Sequence, residues 1–176
     1  GVIQLVYFNA GKARTYGAEA SVTWQPNRIF NLTANLGYLN AKYITFSSPG
    51  IPALGVLAFN ADGNRMPWSP KWQGSLTANV DVPISDHLNA VGSIIYSYSG
   101  KTYSELTNNP IVDQKAYSIV NLRVGVKTAD NHYGAYLSVR NLFNKYYTTF
   151  GSTGVLGSSF VEGDPRIIGG EIQIKF

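Results

Sequence analysis

The last eight residues constrain the fold of this 176-residue chain more than any other segment. Side chains of a β-strand point alternately to its two faces, so this segment has one apolar and one polar face. The apolar face carries Gly170, Ile172, Ile174 and Phe176, and the polar face carries Gly169, Glu171, Gln173 and Lys175. At the edge of a soluble sheet, an apolar strand ending on an aromatic residue would invite aggregation. A closed membrane barrel can turn the same face toward lipid, so the segment favours a transmembrane β-barrel.

Eight segments of the chain have the composition of β-strands, and no window shows convincing helical periodicity. They are residues 2–8, 14–25, 30–43, 71–82, 87–99, 117–127, 132–143 and 166–176. Several alternate as the last one does. In the second segment, one face carries Tyr16, Ala18, Ala20, Val22 and Trp24, and the other carries Thr15, Gly17, Glu19, Ser21 and Thr23. This alternation predicts strands with one apolar side.

The connections between these segments are of two alternating kinds. Short turns lie at residues 26–28, 83–86 and 129–131, and long loops rich in Gly, Ser, Pro and Asn lie at residues 45–70, 100–116 and 145–165. Outer-membrane barrels have this asymmetry, with short periplasmic turns and longer extracellular loops. The predicted fold class is therefore all-β: an antiparallel transmembrane β-barrel segment of about eight strands, with short periplasmic turns and long extracellular loops.

Aromatic residues bracket two of the strands at a spacing that fits a membrane. Tyr16 and Trp24 are eight residues apart on one strand, as are Phe30 and Tyr38 on the next. Eight residues of a tilted strand rise roughly 20 Å, close to the ~25 Å apolar band between aromatic girdles. The predicted girdle residues are Tyr16, Trp24, Phe30, Tyr38 and Trp72. Many small residues on the apolar faces argue against a packed soluble core, although a soluble β-sandwich or lipocalin-like barrel is the alternative.

The composition of the chain excludes several other classes of protein. Although 44% of its residues are hydrophobic, no apolar run reaches the roughly 18 residues that a transmembrane helix needs. The net charge of +4 is scattered, without the Lys/Arg run of a nucleic-acid-binding patch. The absence of cysteine excludes disulfides and thiolate metal sites. Because the first residues resemble a strand and not a signal peptide, we expect a trimmed precursor or a piece of a longer chain.

No constellation of catalytic residues stands out, so we expect neither an enzyme nor a bound cofactor or metal. His87 and His132 lie beside different short turns, which favours solvated turn residues over metal ligands. Glu19, Asp81 and Glu171 lie on polar faces together with basic residues. That arrangement favours charge-balanced wall positions over an acid–base pair.

Four strings of residues carry a resemblance to one family, in the family's order along the chain. Residues 9–19 resemble its loop-to-strand entry, and residues 64–72 (Asn-Arg-Met-Pro-Trp-Ser-Pro-Lys-Trp) resemble the start of one of its descending strands. Residues 139–147 contain its Asn-Leu-Phe-Asn-Lys-x-Tyr motif, and residues 163–166 (Gly-Asp-Pro-Arg) with the final strand resemble its closing hairpin. The chain thus resembles the C-terminal β-barrel portion of a TonB-dependent outer-membrane receptor. Within the third string, Asn141 interrupts the alternation, which predicts a β-bulge.

The resemblance implies a barrel of about 22 strands around an N-terminal plug. Residues 1–176 would be the C-terminal part of that barrel, with the plug domain absent. The implied function is TonB-dependent uptake of a ferric siderophore or similar large nutrient at the cell outer membrane. The implied partners are outer-membrane lipid, the rest of the barrel and its plug, TonB acting through the missing N-terminal part, the barrel-assembly machinery and the ligand, but no nucleic acid.

Aromatic residues of the long loops acquire predicted roles from this resemblance. Aromatic side chains above a barrel mouth could grip a siderophore. The candidate ligand contacts are Phe46, Phe59, Tyr103 and Phe150. Two other loop aromatics, Tyr43 and Tyr147, are assigned to the outer aromatic girdle instead.

The final strand resembles the signal that outer-membrane barrels present to the insertion machinery. Ile172, Ile174 and Phe176 are the residues predicted to carry this signal. Two alternative functions stay open at this point. One is a complete small eight-stranded outer-membrane barrel with a structural or adhesion role, and the other is an outer-membrane lipase or protease barrel. The second alternative is weak, because no Ser, His and acid set aligns on one strand face.

Overall fold

The computed structural model describes residues 11–51, 57–154 and 156–175. All secondary-structure elements in these ranges are β-strands. The strands are β1 (Lys12–Trp24), β2 (Phe30–Thr45), β3 (Ser47–Ser48), β4 (Phe59–Asn60), β5 (Trp72–Pro83), β6 (Leu88–Ser99), β7 (Tyr117–Thr128), β8 (Tyr133–Arg140), β9 (Thr148–Gly154), β10 (Gly157–Glu162) and β11 (Ile167–Ile174). The described residues include no helix long and apolar enough to cross a membrane.

Seven of these strands form one antiparallel sheet in the order β1-β2-β5-β6-β7-β8-β11. The order follows the chain, so the sheet is a meander in which each long strand pairs with its neighbours in sequence. Seven of the eight predicted segments coincide with these strands to within a few residues at each end. The eighth, residues 2–8, lies outside the described residues. The predicted all-β antiparallel architecture is confirmed.

The register of the sheet preserves the predicted separation of apolar and polar faces. Leu76 on β5 lies opposite Ala34 on β2 and Tyr96 on β6, all on the apolar face. This face is open: Trp24, Leu76 and Val124 are 57%, 42% and 40% exposed. The buried hydrophobic residues of the described ranges are Ala41, Tyr43, Phe46, Ala61 and Val112. A soluble sandwich would bury the apolar sheet face, so its exposure favours contact with lipid.

The opposite face of the sheet is crossed by ion pairs that each span an intervening strand. Arg123 on β7 lies 3.1 Å from Glu171 on β11, and its guanidinium stacks 3.5 Å from the ring centroid of Tyr136 on β8 between them. Lys127 on β7 lies 2.6 Å from Asp81 on β5. Exposed pairs of this kind contribute little to stability. They do balance charge along a polar wall, which agrees with the wall interpretation of Asp81 and Glu171.

The short turns are closed by the side chains that turn chemistry predicts. Asn27 Oδ1 accepts two backbone amides at 2.9 Å, and Ser85 Oγ accepts two more in the next turn. In the third turn, hydrogen bonds from the Thr128 hydroxyl, and then from the amide and ring of His132, hold the pKa of the Asp130 carboxyl well below its usual value. The His132 ring lies 2.9 Å from that carboxylate.

The predicted girdle residues lie at two levels of the apolar face. Tyr16, Tyr38 and Trp72 lie near the long loops, where the Tyr38 and Trp72 rings are 4.8 Å apart. Trp24 and Phe30 flank the first short turn, with their rings 5.9 Å apart edge to face. Their role at the membrane interface stays a prediction.

Two of the long loops contain short strands that the sequence pattern did not predict. β9 and β10 form a two-stranded hairpin within residues 145–165, and β3 and β4 pair within residues 45–70. At the start of β10, Gly157 has a φ of 125°, a backbone conformation that favours glycine. The Gly- and Ser-rich composition predicted irregular structure there, but such residues also suit a tight hairpin with small side chains.

Candidate functional site

Three long loops meet on the edge of the sheet opposite the short turns. Loop A comprises residues 46–71, loop B residues 100–116 and loop C residues 141–166. They connect β2 to β5, β6 to β7 and β8 to β11. Because all the strand ends that they join lie on the same side of the sheet, the three loops share one surface, called here the loop surface.

The base of loop A is an aromatic cluster on the end of β2. Tyr43, Phe46 and Ala61 are buried in it, with Phe59, Met66 and Leu106 packed against them. The Phe46 ring lies 4.9 Å from that of Tyr43 and 5.3 Å from that of Phe59. The girdle interpretation of Tyr43 is therefore wrong, because this ring is buried under loop A and does not reach a membrane interface.

Arg65 attaches loop A to the sheet. Its Nη2 donates to the carbonyl oxygens of Leu39 and Ser69 at 2.9 Å, and its Nη1 donates to Asn40 Oδ1 at 3.2 Å. The backbone of Arg65 exchanges two further hydrogen bonds of 2.9 Å with the side chain of Asn108 in loop B. A planar guanidinium with several donors suits this bridging of carbonyl groups. Within residues 64–72, which resemble the start of a family strand, Arg65 thus fixes the chain beside β2 before β5 begins.

Loop B and loop C are joined by a carboxylate clamp and by packing. Glu105 Oε1 accepts the amide and the hydroxyl of Thr153 at 2.5 and 2.6 Å. Val112 is buried against Gly151, where a Cβ would lie only 2.9 Å from the Cβ of Val112. This close approach requires glycine. Loop C is thereby held against loop B along one strand of its hairpin.

A stacked aromatic pair joins loop A to loop C. The rings of Trp68 and Phe150 are 5.6 Å apart and nearly parallel, at 10°. Trp68 has a φ of 57° and donates its amide to the carbonyl of Tyr103 in loop B. A bulky residue at positive φ is rare and persists only when its surroundings hold it. All three loops therefore converge on Trp68.

Asn141 closes the base of loop C at the position of the predicted bulge. Strand β8 ends at Arg140, and Asn141 has a left-handed φ of 49°. Its Nδ2 donates to the carbonyls of Lys145 and Asp164, and its Oδ1 accepts the Lys145 amide, at 2.8–2.9 Å. Its own amide donates to Asn121 Oδ1 on β7. Beyond β8, the amide of Leu142 donates to the carbonyl of Val120 at 2.8 Å, one residue out of the register that pairs Val139 with Leu122. Asn141 is therefore the extra residue that the bulge prediction expected.

Loop B also carries a cation. Lys101 Nζ is 2.7 Å from the buried carboxylate of Asp113 and 4.7 Å from the ring centroid of Tyr103. The Asp113 contact raises the pKa of Lys101, against the opposing effect of partial burial. Lys101 thus stays charged on a surface that also carries aromatic rings.

The clamp on Glu105 makes the joint between loop B and loop C sensitive to acid. Partial burial opposes ionisation of this carboxyl, but the hydrogen bonds from Thr153 outweigh burial and hold its pKa below the usual value. Stability from the clamp is therefore present above about pH 4.3, the usual glutamate pKa, and is lost as pH falls through the lower folded-state pKa. We expect pepsin to cleave the β9–β10 hairpin increasingly fast from about pH 4 downward.

The variant Glu105→Gln supplies the control, because a glutamine side chain does not titrate. The pepsin profile of this variant should change with pH only as the enzyme's own activity does. An identical acid-dependent rise in both proteins would assign the opening of the hairpin to another group.

The structure separates the four candidate ligand contacts into two pairs. Phe46 and Phe59 lie in the aromatic cluster beneath loop A, whereas Tyr103 is half-buried beside Lys101 and Phe150 is 43% exposed. Sequence reasoning missed Trp68, which is 46% exposed and stacked on Phe150. Its position between two prolines in residues 64–72 was the available signal, since those prolines keep the segment out of the sheet. Tyr147, the other loop aromatic, is half-buried and stacks 4.4 Å from Tyr117.

The described ranges contain no group of three or more His, Asp or Glu side chains that could hold a metal ion. The loop surface instead combines stacked aromatic rings, a cation and a hydrogen-bonded frame. Such a surface can bind a ligand by stacking and charge contacts.

The sequence and fold both match known receptors. A family model described as TonB dependent receptor-like, beta-barrel matches residues 1–142. The chain belongs to this family. The TonB-dependent receptor fold is also that of FyuA, the ferric yersiniabactin uptake receptor from Yersinia pestis, at 19% sequence identity and a TM-score of 0.79. That alignment covers 96% of this chain and 24% of FyuA.

Two receptors from Acinetobacter baumannii have the same fold. The siderophore receptor PiuA aligns with a TM-score of 0.68 and 18% identity, over 88% of this chain and 20% of PiuA. BauA, the ferric preacinetobactin receptor, aligns with a TM-score of 0.65 and 20% identity, over 89% of this chain and 21% of BauA. The chain therefore spans between a fifth and a quarter of the length of these receptors.

Membership of this family confirms the predicted resemblance and the predicted location. TonB-dependent receptors are outer-membrane β-barrels, so the long strands of this chain cross the outer membrane. The short turns then face the periplasm, and the loop surface faces the cell exterior. The family is one of transport receptors.

Proposed function

We propose that this chain is the C-terminal wall of a receptor that takes up a ferric siderophore, or a similar large and scarce nutrient, in a TonB-dependent manner. The carrying observation is the shared fold with a ferric yersiniabactin uptake receptor over 96% of the chain. In such a receptor the polar face of the sheet would line the lumen and contact the plug. The Arg123–Glu171 and Lys127–Asp81 pairs suit a wet interface of this kind.

The loop surface supplies the proposed ligand contacts. Trp68 and Phe150 present a stacked aromatic pair, and Tyr103 adds a ring with the Lys101 ammonium beside it. Rings and a cation suit a large ligand that carries rings and negative charge, because rings can stack on rings and an ammonium can pair with an anionic group. Phe46 and Phe59 would act indirectly, by supporting loop A from below.

The replacement Phe150→Ala should weaken ligand binding by about 30-fold, which corresponds to the loss of roughly 2 kcal/mol at an aromatic hot spot. The measurement is titration of the purified full-length receptor with a panel of ferric siderophores, followed by tryptophan fluorescence. The change removes the partner of Trp68 as well as a direct contact, since the two rings stack.

Phe160→Ala is the matched control for this prediction. Phe160 is 49% exposed on the same hairpin, but it pairs with Gly151 and so lies on the other face from Phe150. Its replacement should leave the affinity unchanged. Equal losses in both variants would assign the effect to the hairpin fold instead of the ligand surface.

The transport role itself is tested in cells grown under iron limitation. Deleting the gene that encodes this chain should abolish uptake of at least one ferric siderophore, and deleting TonB should have the same effect on that compound. Unchanged uptake of every siderophore of a broad panel, with the protein present in the outer membrane of the parent strain, would contradict the proposal.

The role of the final strand in insertion is also a proposal. Ile172 and Ile174 lie on the lipid-facing side, at 82% and 52% exposure. Phe176 lies outside the described residues. The support for the proposal is the unbroken apolar face of this strand, which an insertion factor could recognise by strand pairing and side-chain contacts.

A further inference from the structure

Three basic residues form one lateral row across neighbouring segments at the exterior end of the sheet. Arg14 on β1 is the cross-strand partner of Lys42 on β2, and Lys42 forms an isolated bridge with Arg65 of loop A. Directly paired residues of an antiparallel sheet point to the same face. Arg14, Lys42 and Arg65 therefore share a face, and this set is called here the cationic row.

The cationic row lies on the lipid-facing side, immediately above the predicted outer girdle. Arg14 and Lys42 have the same parity along their strands as Tyr16 and Tyr38, so all four point outward. The pair beneath the row is Tyr16 and Asn40, joined by a 2.6 Å hydrogen bond. Two residues of a tilted strand rise about 5 Å, which places the row at the level where an apolar layer gives way to headgroups.

Charges in the row have no anionic partner in the structure. Among the described residues, no carboxylate forms an ion pair with Arg14, Lys42 or Arg65. Like charges directly opposite each other destabilise a sheet. The Arg65 Nη atoms are occupied by oxygen atoms of the protein, while its buried Nε donates to no acceptor. An external anion at this position would relieve the repulsion.

A cavity adjoins the row and adds a fourth cation. It has a volume of about 420 Å³, and its lining includes Tyr38, Asn40, Lys42, Arg65 and Lys71. Lys71 Nζ lies 5.9 Å from the ring centroid of Tyr38, on the outward side of the sheet. Three cations and an amide thus surround a polar recess just above the apolar band.

We propose that the cationic row and this recess bind the phosphate groups of lipids in the outer leaflet. Charge complementarity is the first reason, since phosphate is a strong acceptor for clustered Arg and Lys side chains. Position is the second, because the row continues the lipid-facing surface and so meets a headgroup whose acyl chains lie along that surface. Tyr103 of loop B also lines the recess, so the lipid site borders the proposed nutrient contacts, whereas Arg14 and Lys42 belong to the row and not to those contacts.

The experiment compares lipid binding by two double variants of the full-length receptor in a neutral detergent. The row variant is Arg14→Gln with Lys42→Gln, and the control is Arg28→Gln with Lys175→Gln. Arg28 and Lys175 are exposed near the periplasmic rim, so both variants lose one arginine and one lysine charge. The probes are bisphosphorylated lipid A in mixed micelles, the same lipid after dephosphorylation, and inorganic phosphate.

The row variant should bind bisphosphorylated lipid A about 30-fold more weakly than the unchanged receptor, while the control variant keeps its affinity. Dephosphorylated lipid should not distinguish the row variant from the unchanged receptor. In detergent without lipid, the row variant should melt at the same temperature or higher, because removal of like charges relieves repulsion. This measurement separates lost binding from lost folding, and the single variant Lys42→Gln should give an intermediate affinity.

Three results would overturn the proposal. Equal weakening in the row and control variants, or none in either, would show that net charge and not the row governs lipid binding. Full competition by inorganic phosphate at the same phosphate concentration would assign the row to free anions and not to lipid. A binding constant for the unchanged receptor that did not fall with added salt is the third, because binding between the row and phosphate groups must weaken as salt screens the charges.

Discussion

Replacing Asn141 by alanine should lower the free energy of unfolding by about 3 kcal/mol. The side chain is buried, with 3% of the residue exposed, and makes three hydrogen bonds to the backbone of loop C. Alanine would leave the carbonyls of Lys145 and Asp164 and the amide of Lys145 without these partners. Each such hydrogen bond contributes about 1 kcal/mol to stability, so the loss of three accounts for the expected effect. The measurement is urea unfolding of the full-length receptor in lipid vesicles, monitored by heat-modifiable electrophoretic mobility.

Asn144→Ala is the control for this prediction, because Asn144 has nearly the same backbone conformation. The φ angles of Asn141 and Asn144 are 49° and 50°, so alanine meets similar strain at both positions. Asn144 is exposed, and its side chain accepts one hydrogen bond, from the amide of Arg166. Its replacement should cost about 1 kcal/mol. Losses of equal size would mean that backbone strain, and not the buried network, explains the effect.

The strands and their two faces could be predicted because their determinants are local. Alternation with a period of two follows directly from strand geometry. The turn residues Asn27, Ser85 and Asp130 satisfy backbone amides within a few positions of themselves. A register of direct cross-strand pairs then follows from the turns and the apolar pattern.

The roles of the loop aromatics could not be predicted, because they depend on contacts between loops. Phe46 and Phe150 both lie in Gly- and Ser-containing segments, and nothing local distinguishes them. Phe46 meets Tyr43 across the end of β2, while Phe150 meets Trp68 from another loop. The same limitation applies to Asn141, whose bulge was predicted from the sequence but whose contacts with loop C were not. Its alternation break was visible, but the carbonyls that it binds lie in loop C.

The cationic row also required the three-dimensional register. Lys42 and Arg65 are distant in sequence. Arg65 belongs to the part of loop A that lies beside β2 just before β5 begins. The sequence shows only scattered basic residues there, with a modest net charge for the whole chain. Their grouping arises because the lateral pairing of strands converts separate positions into neighbours.

Leu76→Arg should lower the free energy of unfolding by about 2–4 kcal/mol, because Leu76 faces lipid near the middle of the apolar band. Leu76 lies four residues from the girdle residue Trp72 on β5, a rise of roughly 10 Å into a band of ~25 Å. A guanidinium at that depth loses its hydration, and the residues paired with this position, Ala34 and Tyr96, carry no negative charge. The measurement is again unfolding of the full-length receptor in lipid vesicles.

Thr77→Arg tests the same depth on the other face of the strand. Thr77 follows Leu76 directly and lies opposite Thr33 on the polar face, where water and polar side chains can solvate a charge. Its replacement should change stability by less than about 1 kcal/mol. A large loss at Thr77 with little loss at Leu76 would mean that the polar face contacts lipid, and would refute a lipid-facing apolar side. Large and equal losses would instead indicate that both faces are packed, as in a soluble sandwich.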